Sequence, residues 1–279
     1  MSLPACAPRA RAAPVLKWAG GKGGLLSQYA PHFPRRYRNY YEPFVGGGAV
    51  FFYLAPDARR KRVRLSDINA ELISFYQVLQ RDPQGLAALL AEHSRRHSRE
   101  HYYAVRATQP QDPVERAARL LYLNKTCYNG LYRVNSRGCF NVPLGRYENP
   151  AILDEERLWA ASQALQGVEL ASEPFWGVLE HARRGDLVYL DPPYQPLSAT
   201  SSFTSYTAES FGEAEQRGLA EVYRELARRG CKVLLSNSDT PLVRRLYEGF
   251  RQHPIQARRF INSRADRRGA VTELLISNL

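Results

Sequence analysis

The sequence has no long apolar run. Its longest, residues 49–55, is seven residues, against the ~20 needed to span a bilayer, so a membrane-spanning helix is excluded and no membrane-embedded partner is expected. No N-terminal segment joins a basic start to a sufficient apolar stretch, so no cleaved secretory signal is expected. Cysteine is scarce as well. Cys6, Cys127, Cys139 and Cys231 are too few for a disulfide framework in 279 residues, and no two have the close spacing of a zinc knuckle. Reduced, structural thiols in a cytoplasmic protein are the expectation. Acidic residues are in short supply too, with 27 Asp and Glu against 39 Lys and Arg, a net charge of +12. Such a surplus favours a polyanionic partner, nucleic acid first and an anionic membrane surface second. The 44% hydrophobic and 24% charged residues are ordinary for a globular chain. The length allows one large core, or one core with a smaller inserted lobe.

The charge is unevenly placed. Residues 1–38 hold Arg9, Arg11, Lys17, Lys22, Arg35, Arg36 and Arg38 with no acid. Residues 95–147 carry ten basic side chains against Glu100, Asp112 and Glu115, a local surplus of +7, and a further basic cluster runs over 251–268. The middle segment interleaves this charge with Tyr102, Tyr103, Tyr122, Tyr128, Tyr132, Phe140 and Tyr147. Cations grip phosphates and flat rings stack on bases. A solvated helix face with core tyrosines explains the helical part of that segment equally well, but fits the loop after Lys125 less well.

Apolar patterning predicts strand–turn–helix units of an open α/β sheet. Strands are expected over 39–44, 63–66, 186–190, 231–236 and 271–277, with helices starting at Ala49 and spanning 69–79 and 213–229. Between the halves, 84–105 and 114–125 read as helical, and 131–134 and 139–142 flank Asn135-Ser136-Arg137-Gly138 as a hairpin. Phe44 and Asp191 are 147 residues apart, whereas three strand–helix units of ~30 residues need about 90. The surplus coincides with the basic, aromatic segment, so an insertion is expected there.

Two motifs carry chemistry. Phe44-Val45-Gly46-Gly47-Gly48 lets backbone approach a ligand at the carboxyl end of the first strand, and Asp67 ends the next strand, where a carboxylate meets ribose hydroxyls. Phe51 stands where a dinucleotide fingerprint has its third glycine, which favours a nucleoside without phosphates; an ordinary tight turn remains the alternative. The second motif is Asp191-Pro192-Pro193-Tyr194. The exocyclic amine of adenine is a poor nucleophile because its lone pair is delocalised into the ring. A carboxylate (Asp191) and a carbonyl (Pro192) accepting its two N–H bonds would draw the nitrogen toward a tetrahedral geometry. The prolines stiffen the turn, and Tyr194 offers a ring face to a base swung out of the stack. The other glycine cluster, around Lys22, is no Walker loop: Leu16 stands where its first glycine belongs and Gly23 follows the lysine.

These motifs, in this order and separated by a basic insert, resemble the amino-directed DNA methyltransferases with alpha motif order. The resemblance narrows to the D12-class, Dam-type adenine-N6 enzymes that recognise GATC. Further stretches support it: Leu16-Lys17-Trp18-Ala19-Gly20-Gly21-Lys22, Ser66-Asp67-Ile68-Asn69, Tyr128-Asn129-Gly130-Leu131-Tyr132-Arg133, Phe140-Asn141-Val142-Pro143, Gly145-Arg146-Tyr147, residues 196–200 and Leu235-Ser236-Asn237. The resemblance implies a Rossmann-like α/β methyltransferase sheet with an inserted helical and β-hairpin target-recognition domain. Residues 1–69 and 166–279 would form the catalytic part and 70–165 the recognition part.

It implies S-adenosyl-L-methionine as cofactor, with Trp18, Lys22, Phe44, Gly46, Gly48, Asp67 and Asp191 holding it, and Asp191, Pro192, Pro193 and Tyr194 as catalytic residues. Lys17 and Tyr147 match positions reading the outer G·C pair; Leu131, Arg133 and Pro143 match base-reading positions of the hairpin, Arg133 suiting a guanine edge. Tyr128, Asn129 and Arg146 match positions that enter the stack or hold the backbone. The partner implied is double-stranded DNA, met in the cytoplasm (on the nucleoid, if the source is bacterial), with base flipping, direct in-line transfer and no obligate protein partner.

Other readings are weaker. His93, His97 and His101 recur every fourth residue, but their Ser, Arg and Glu neighbours favour a solvated basic face over metal ligation, and no metal is expected. Cytosine-C5 chemistry needs a cysteine after a proline, which no cysteine here provides, and there is no serine elbow of a hydrolase. Methylation of RNA adenine or of a glutamine amide, and a non-catalytic nucleic-acid binder, stay open at the level of sequence.

Overall fold

The computed structural model describes residues 11–195, 211–258 and 270–279. Cys6, the matching stretch at 196–200 and the basic cluster beyond residue 258 lie outside them.

Seven strands form one sheet: β1 (Tyr40–Glu42), β2 (Val63–Asp67), β3 (Glu169–Ser172), β4 (Leu187–Leu190), β5 (Lys232–Ser238), β6 (Arg251–Arg258) and β7 (Ala270–Ser277). Their order is β3-β2-β1-β4-β5-β7-β6. Pairing is parallel from β3 through β5, and β7 runs antiparallel to both of its neighbours. The five strands expected for the sheet are present within a few residues of their expected ends. The two that patterning missed, β3 and β6, are the sheet edges. An edge strand pairs on one side only and tolerates polar side chains, and Glu169-Leu170-Ala171-Ser172 and the Arg-, Gln- and His-bearing β6 show no apolar period.

Ten α-helical segments are described: α1 (Leu26–Tyr29), α2 (Ala49–Leu54), α3 (Ala70–Arg81), α4 (Pro83–Arg95), α5 (Arg99–Ala107), α6 (Pro113–Thr126), α7 (Glu155–Ala164), α8 (Val178–His181), α9 (Glu213–Arg228) and α10 (Pro241–Leu246). The chain divides into two compact units. One contains Lys22–Val45, Pro56–Asn69 and the described part of Val168–Leu279, and so holds the whole sheet. In it, Leu219, Tyr223 and Leu226 of α9 pack on Val188 and Leu190 of β4 and Val233 and Leu235 of β5. All four residues of β4 are buried, as a central parallel strand requires. Burial of each such side chain contributes about 2 kcal/mol.

The other unit contains Gly46–Ala55, Ala70–Gly167 and the described residues up to Gly21. Here α3, α4, α6 and α7 pack together around Leu72, Leu79, Leu86, Leu90, Leu121 and Leu158. The expected helix over 84–105 is two helices. Ser98 is extended and its Oγ accepts from the backbone N–H of His101 at 3.0 Å, which starts α5 as a new helix. The three histidines therefore do not line one helix face, and each is only partly exposed to solvent. They gather half-buried around Tyr122: His93 Nδ1 lies 3.0 Å from His101 Nε2, His97 Nδ1 lies 2.9 Å from the Tyr122 hydroxyl, and His93 stacks on its ring. Burial holds all three imidazoles below their usual pKa. The expected hairpin strands are likewise absent. A tight loop stands there, with one bridge between Val134 and Phe140. The Asn135 carboxamide accepts from the N–H groups of Arg137 and Cys139 and shapes the turn, and two backbone bonds, Asn135 N–H to the Cys139 carbonyl at 2.9 Å and Asn141 N–H to the Arg133 carbonyl at 3.0 Å, join the arms on either side of the bridge.

Candidate active site

Parallel pairing aligns the carboxyl ends of β1, β2 and β4, with Glu42 opposite Leu65 and Tyr41 opposite Val188. Phe44, Asp67 and Asp191 leave the sheet at that edge, where open α/β sheets bind ligands. The Val45 N–H bonds the Ser66 carbonyl at 3.0 Å, tying the two strand ends together. Phe44 stacks on Phe175 with ring centroids 5.4 Å apart. The Asp67 carboxylate accepts from the Asn69 N–H at 3.0 Å. Beside it Ile68 is 62% exposed, an apolar face at the lip of the sheet that the sequence reading did not single out.

Asp191 is the best-defined acid of this edge. Its Oδ1 lies 2.7 Å from Lys22 Nζ and accepts from Ser236 Oγ at 2.7 Å. The Tyr189 hydroxyl, 3.0 Å from Ser236 Oγ, supports the serine from below, and both side chains are fully buried. Oδ2 has no donor among the described residues, and the side chain is 20% exposed. One oxygen is thus fixed by the protein and the other presented.

The following loop is held by a buried amide pair. Gln216 Nε2 donates to the Pro193 carbonyl at 3.0 Å, and Asn237 Nδ2 donates to Gln216 Oε1 at 2.9 Å. No described residue donates to the Pro192 carbonyl. Tyr194 donates to Glu273 Oε2 at 2.7 Å, and Lys22 Nζ lies 4.7 Å from its ring centroid. Burial and the adjacent Asp191 carboxylate raise the Tyr194 pKa, so it stays a donor. One face of the ring that the sequence assigns to a flipped base therefore carries an ammonium.

In the other unit, Trp18 packs against the glycine turn. A Cβ on Gly46, whose φ is +46°, would stand 2.9 Å from the indole ring, so only glycine allows this approach. The Tyr76 hydroxyl donates to the Gly46 carbonyl at 2.8 Å. Lys17, Asn124 and the turn at Tyr128–Gly130 form one cluster. Asn124 Oδ1 accepts from the Lys17 N–H at 2.8 Å, while its Nδ2 donates to the carbonyls of Lys17 (2.7 Å) and Gly130 (3.1 Å). The Lys17 side chain crosses Gly130, φ +63°, where a Cβ would meet it at 2.6 Å. Lys17 Nζ lies 4.3 Å from the Tyr147 ring centroid.

Tyr128 is 51% exposed, and Asn129 next to it has the left-handed φ of +55° that asparagine tolerates. The Tyr128 N–H bonds the Pro143 carbonyl at 2.9 Å, and the Asn141 N–H bonds the Arg133 carbonyl at 3.0 Å. Arg133 is exposed and donates through Nε to Asn141 Oδ1 at 2.7 Å, which leaves both Nη groups without a described acceptor. Leu131 is half-buried, while Pro143 and Arg146 are exposed. All eight residues assigned to DNA thus belong to this unit. Asn124, Asn141, Ser236, Gln216 and Glu273 were not assigned roles from the sequence, because a positioning residue is defined by its partner and not by a motif.

The donor set of the strand edge fits a zwitterionic nucleoside cation. It offers carboxylates at Asp67 and Asp191, the ammonium of Lys22 and the exposed apolar face of Ile68. A mostly parallel sheet of this order, with an acid ending β2 and Asp-Pro-Pro-Tyr following β4, defines a methyltransferase acting on an amino group. Residues 18–261 match the D12 class N6 adenine-specific DNA methyltransferase family. The chain is 41% identical over 273 residues to the type II methyltransferase M1.LlaDCHI of Lactococcus lactis subsp. cremoris, covering 95% of both chains. It is 44% identical over 287 residues to M.MjaIII of Methanocaldococcus jannaschii, covering 95% of this chain and 98% of that one. It is 40% identical over 264 residues to the DNA adenine methylase of Escherichia coli K12, covering 93% of both. The chain belongs to the D12 class N6 adenine-specific DNA methyltransferases. It is an enzyme with DNA as substrate and S-adenosylmethionine as methyl donor, which sets aside the RNA, glutamine-amide and non-catalytic alternatives. No described helix is long and apolar enough to cross a membrane.

Proposed function

We propose that the enzyme methylates N6 of adenine within GATC of duplex DNA, after turning the base out of the helix, by direct in-line transfer. The observation that carries the chemistry is the division of labour on Asp191, with Oδ1 bonded to Lys22 and Ser236 and Oδ2 uncommitted. Asp191 Oδ2 and the Pro192 carbonyl accept the two N–H bonds of the adenine amine and localise its lone pair on nitrogen. Holding the base against these fixed acceptors lowers the barrier by orientation and by preorganised charge. Tyr194 stacks on the base, and Pro193 holds the loop through Gln216. Trp18, Lys22, Phe44, Gly46, Gly48, Asp67 and Asp191 hold S-adenosylmethionine, which supplies an electrophilic methyl group on a sulfonium.

Residues 70–165 act as the target-recognition domain, and 1–69 with 166–279 as the catalytic part. Arg133, oriented by Asn141, offers two free Nη groups to the O6 and N7 acceptors of guanine. Lys17 and Tyr147 read the outer pair, with Leu131 and Pro143 against base edges. Tyr128 enters the gap left by the adenine, and Asn129 and Arg146 hold the backbone. The test is transfer of labelled methyl to three duplexes: one with GATC, one scrambled, and one with GATC already N6-methylated on both strands. Label on the first alone is expected. Equal label on the first two overturns the recognition reading, and label on the third moves the target away from that adenine.

A further inference from the structure

Tyr132 stands between two residues assigned to base recognition, Leu131 and Arg133, yet it is buried while Arg133 is exposed. Neighbouring side chains of an extended segment point to opposite sides, so the residue that roots this loop is flanked by the two residues assigned to bases. Three contacts define the root. Its ring stacks on Trp18, centroids 5.4 Å apart and planes at 27°. Its hydroxyl donates to Glu71 Oε2 in a short hydrogen bond. Its ring also meets Phe140, on the returning arm of the loop, edge-on at 6.0 Å. Glu71 is in turn 3.7 Å from Nη1 of Arg119, whose Nε and Nη2 cap the carbonyls of Val105 and Arg106 at 3.1 and 2.9 Å. The Trp18 ring also fills the space over Gly46. Side-chain contacts therefore run without interruption from the glycine turn through Trp18 and Tyr132 to both arms of the loop carrying Arg133.

We propose that Tyr132 is a positioning residue that couples occupancy of the methyl-donor site to duplex recognition. The inference rests on the assignment of Trp18 to the methyl donor and of Arg133 to a base. A ligand that settles the Trp18 indole settles the Tyr132 ring stacked on it, and with it the backbone on either side of that ring. Linkage requires the effect to be mutual: the duplex must tighten donor binding by the factor by which the donor tightens duplex binding.

The full-length protein is titrated with S-adenosylhomocysteine, with and without a GATC duplex, and with the duplex, with and without S-adenosylhomocysteine. Wild type, Y132F, Y132L, E71Q and W18A are compared. The wild type is expected to show a coupling factor of roughly fivefold or more, equal in both directions. Y132L is expected to bring it to within about twofold of unity while still binding each ligand alone, and Y132F, which keeps the stack, to retain part of it. If Y132L does not fold, E71Q takes its place, since it weakens the hydroxyl anchor and is expected to lower the factor. A wild-type factor of one overturns the proposal, as does full coupling in Y132L or, if that variant does not fold, in E71Q. W18A separates the two levels. Unchanged S-adenosylhomocysteine affinity in W18A removes Trp18 from the donor site and the proposal with it, whereas lost affinity in W18A beside intact coupling in Y132L refutes the coupling alone.

Discussion

Ser236→Ala separates stability from chemistry at Asp191. The serine hydroxyl donates to Asp191 Oδ1 at 2.7 Å and lies 3.0 Å from the Tyr189 hydroxyl, at a site with no solvent access to Ser236 or Tyr189. Removing it leaves the tyrosine O–H without its acceptor, at a cost of about 1–3 kcal/mol in unfolding free energy. It also removes one of the two donors that fix the carboxylate. A hydrogen bond to a charged group is worth about 1.5–3 kcal/mol, so the rate of methyl transfer is expected to fall about ten- to a hundredfold. The double variant Ser236→Ala/Tyr189→Phe carries no orphaned hydroxyl. Its stability is expected to return to within about 1 kcal/mol of wild type, while its rate stays low. Denaturant unfolding gives the first quantity, and single-turnover transfer to a GATC duplex gives the second, free of product release. An unchanged rate in Ser236→Ala refutes the orientation argument. Recovery of the rate in the double variant refutes it differently, by showing that the loss came from local misfolding.

Asn124→Ala strands one N–H and two carbonyls that its buried carboxamide now satisfies, so unfolding free energy should drop by about 2–4 kcal/mol in denaturant melts; a near-neutral result means Lys17 and the Tyr128–Gly130 turn are held by something else. Arg133→Lys keeps the charge but loses the planar fork, and discrimination against duplexes altered at the guanine should fall about tenfold or more in competition assays; undiminished discrimination removes Arg133 from base reading. Burial, with Arg157 and Lys17 close by, pushes the Lys125 ammonium down to about 8 from 10.5. Between those values the unfolded chain binds more protons than the folded one, so this residue makes stability rise with pH across the window. Lys125→Met should abolish that rise in urea midpoints taken on either side of it, and an identical pH profile contradicts the assignment.

What could be read in the sequence and what could not divide along physical lines. β1, β2, β4, β5 and β7 announce themselves because strands inside a mostly parallel sheet bury both faces and become short apolar runs. β3 and β6 bury less, carry polar side chains and leave no such run. Asp191, Pro192 and Tyr194 stand out in the sequence because the chemistry of an amine restricts the residue types that could serve it. Ser236 and Gln216 were not, since a serine or glutamine serves anywhere its one partner happens to be. The histidines misled for a related reason. Spacing of four implies a shared face only while the helix continues, and Ser98 ends that continuity by capping α5; the ring of Tyr122, twenty-one residues beyond His101, then gathers all three.

The same contrast explains where the enzyme places rigidity. The groups proposed to meet a ligand are left short of described partners: Asp191 Oδ2, the Pro192 carbonyl and both Nη of Arg133. Each is the neighbour, on the same side chain or the next residue, of an atom held by the protein: Oδ1 by Ser236 and Lys22, the Pro193 carbonyl by Gln216, Arg133 Nε by Asn141. Fixing one atom of a carboxylate or guanidinium fixes the plane of the whole group, so the free atoms keep their direction before any ligand arrives. Orientation entropy is then lost on folding and not on binding. This is why substitution of Ser236, Gln216 or Asn141, none of them assigned to a ligand, should cost rate or selectivity while affinity for the methyl donor changes little.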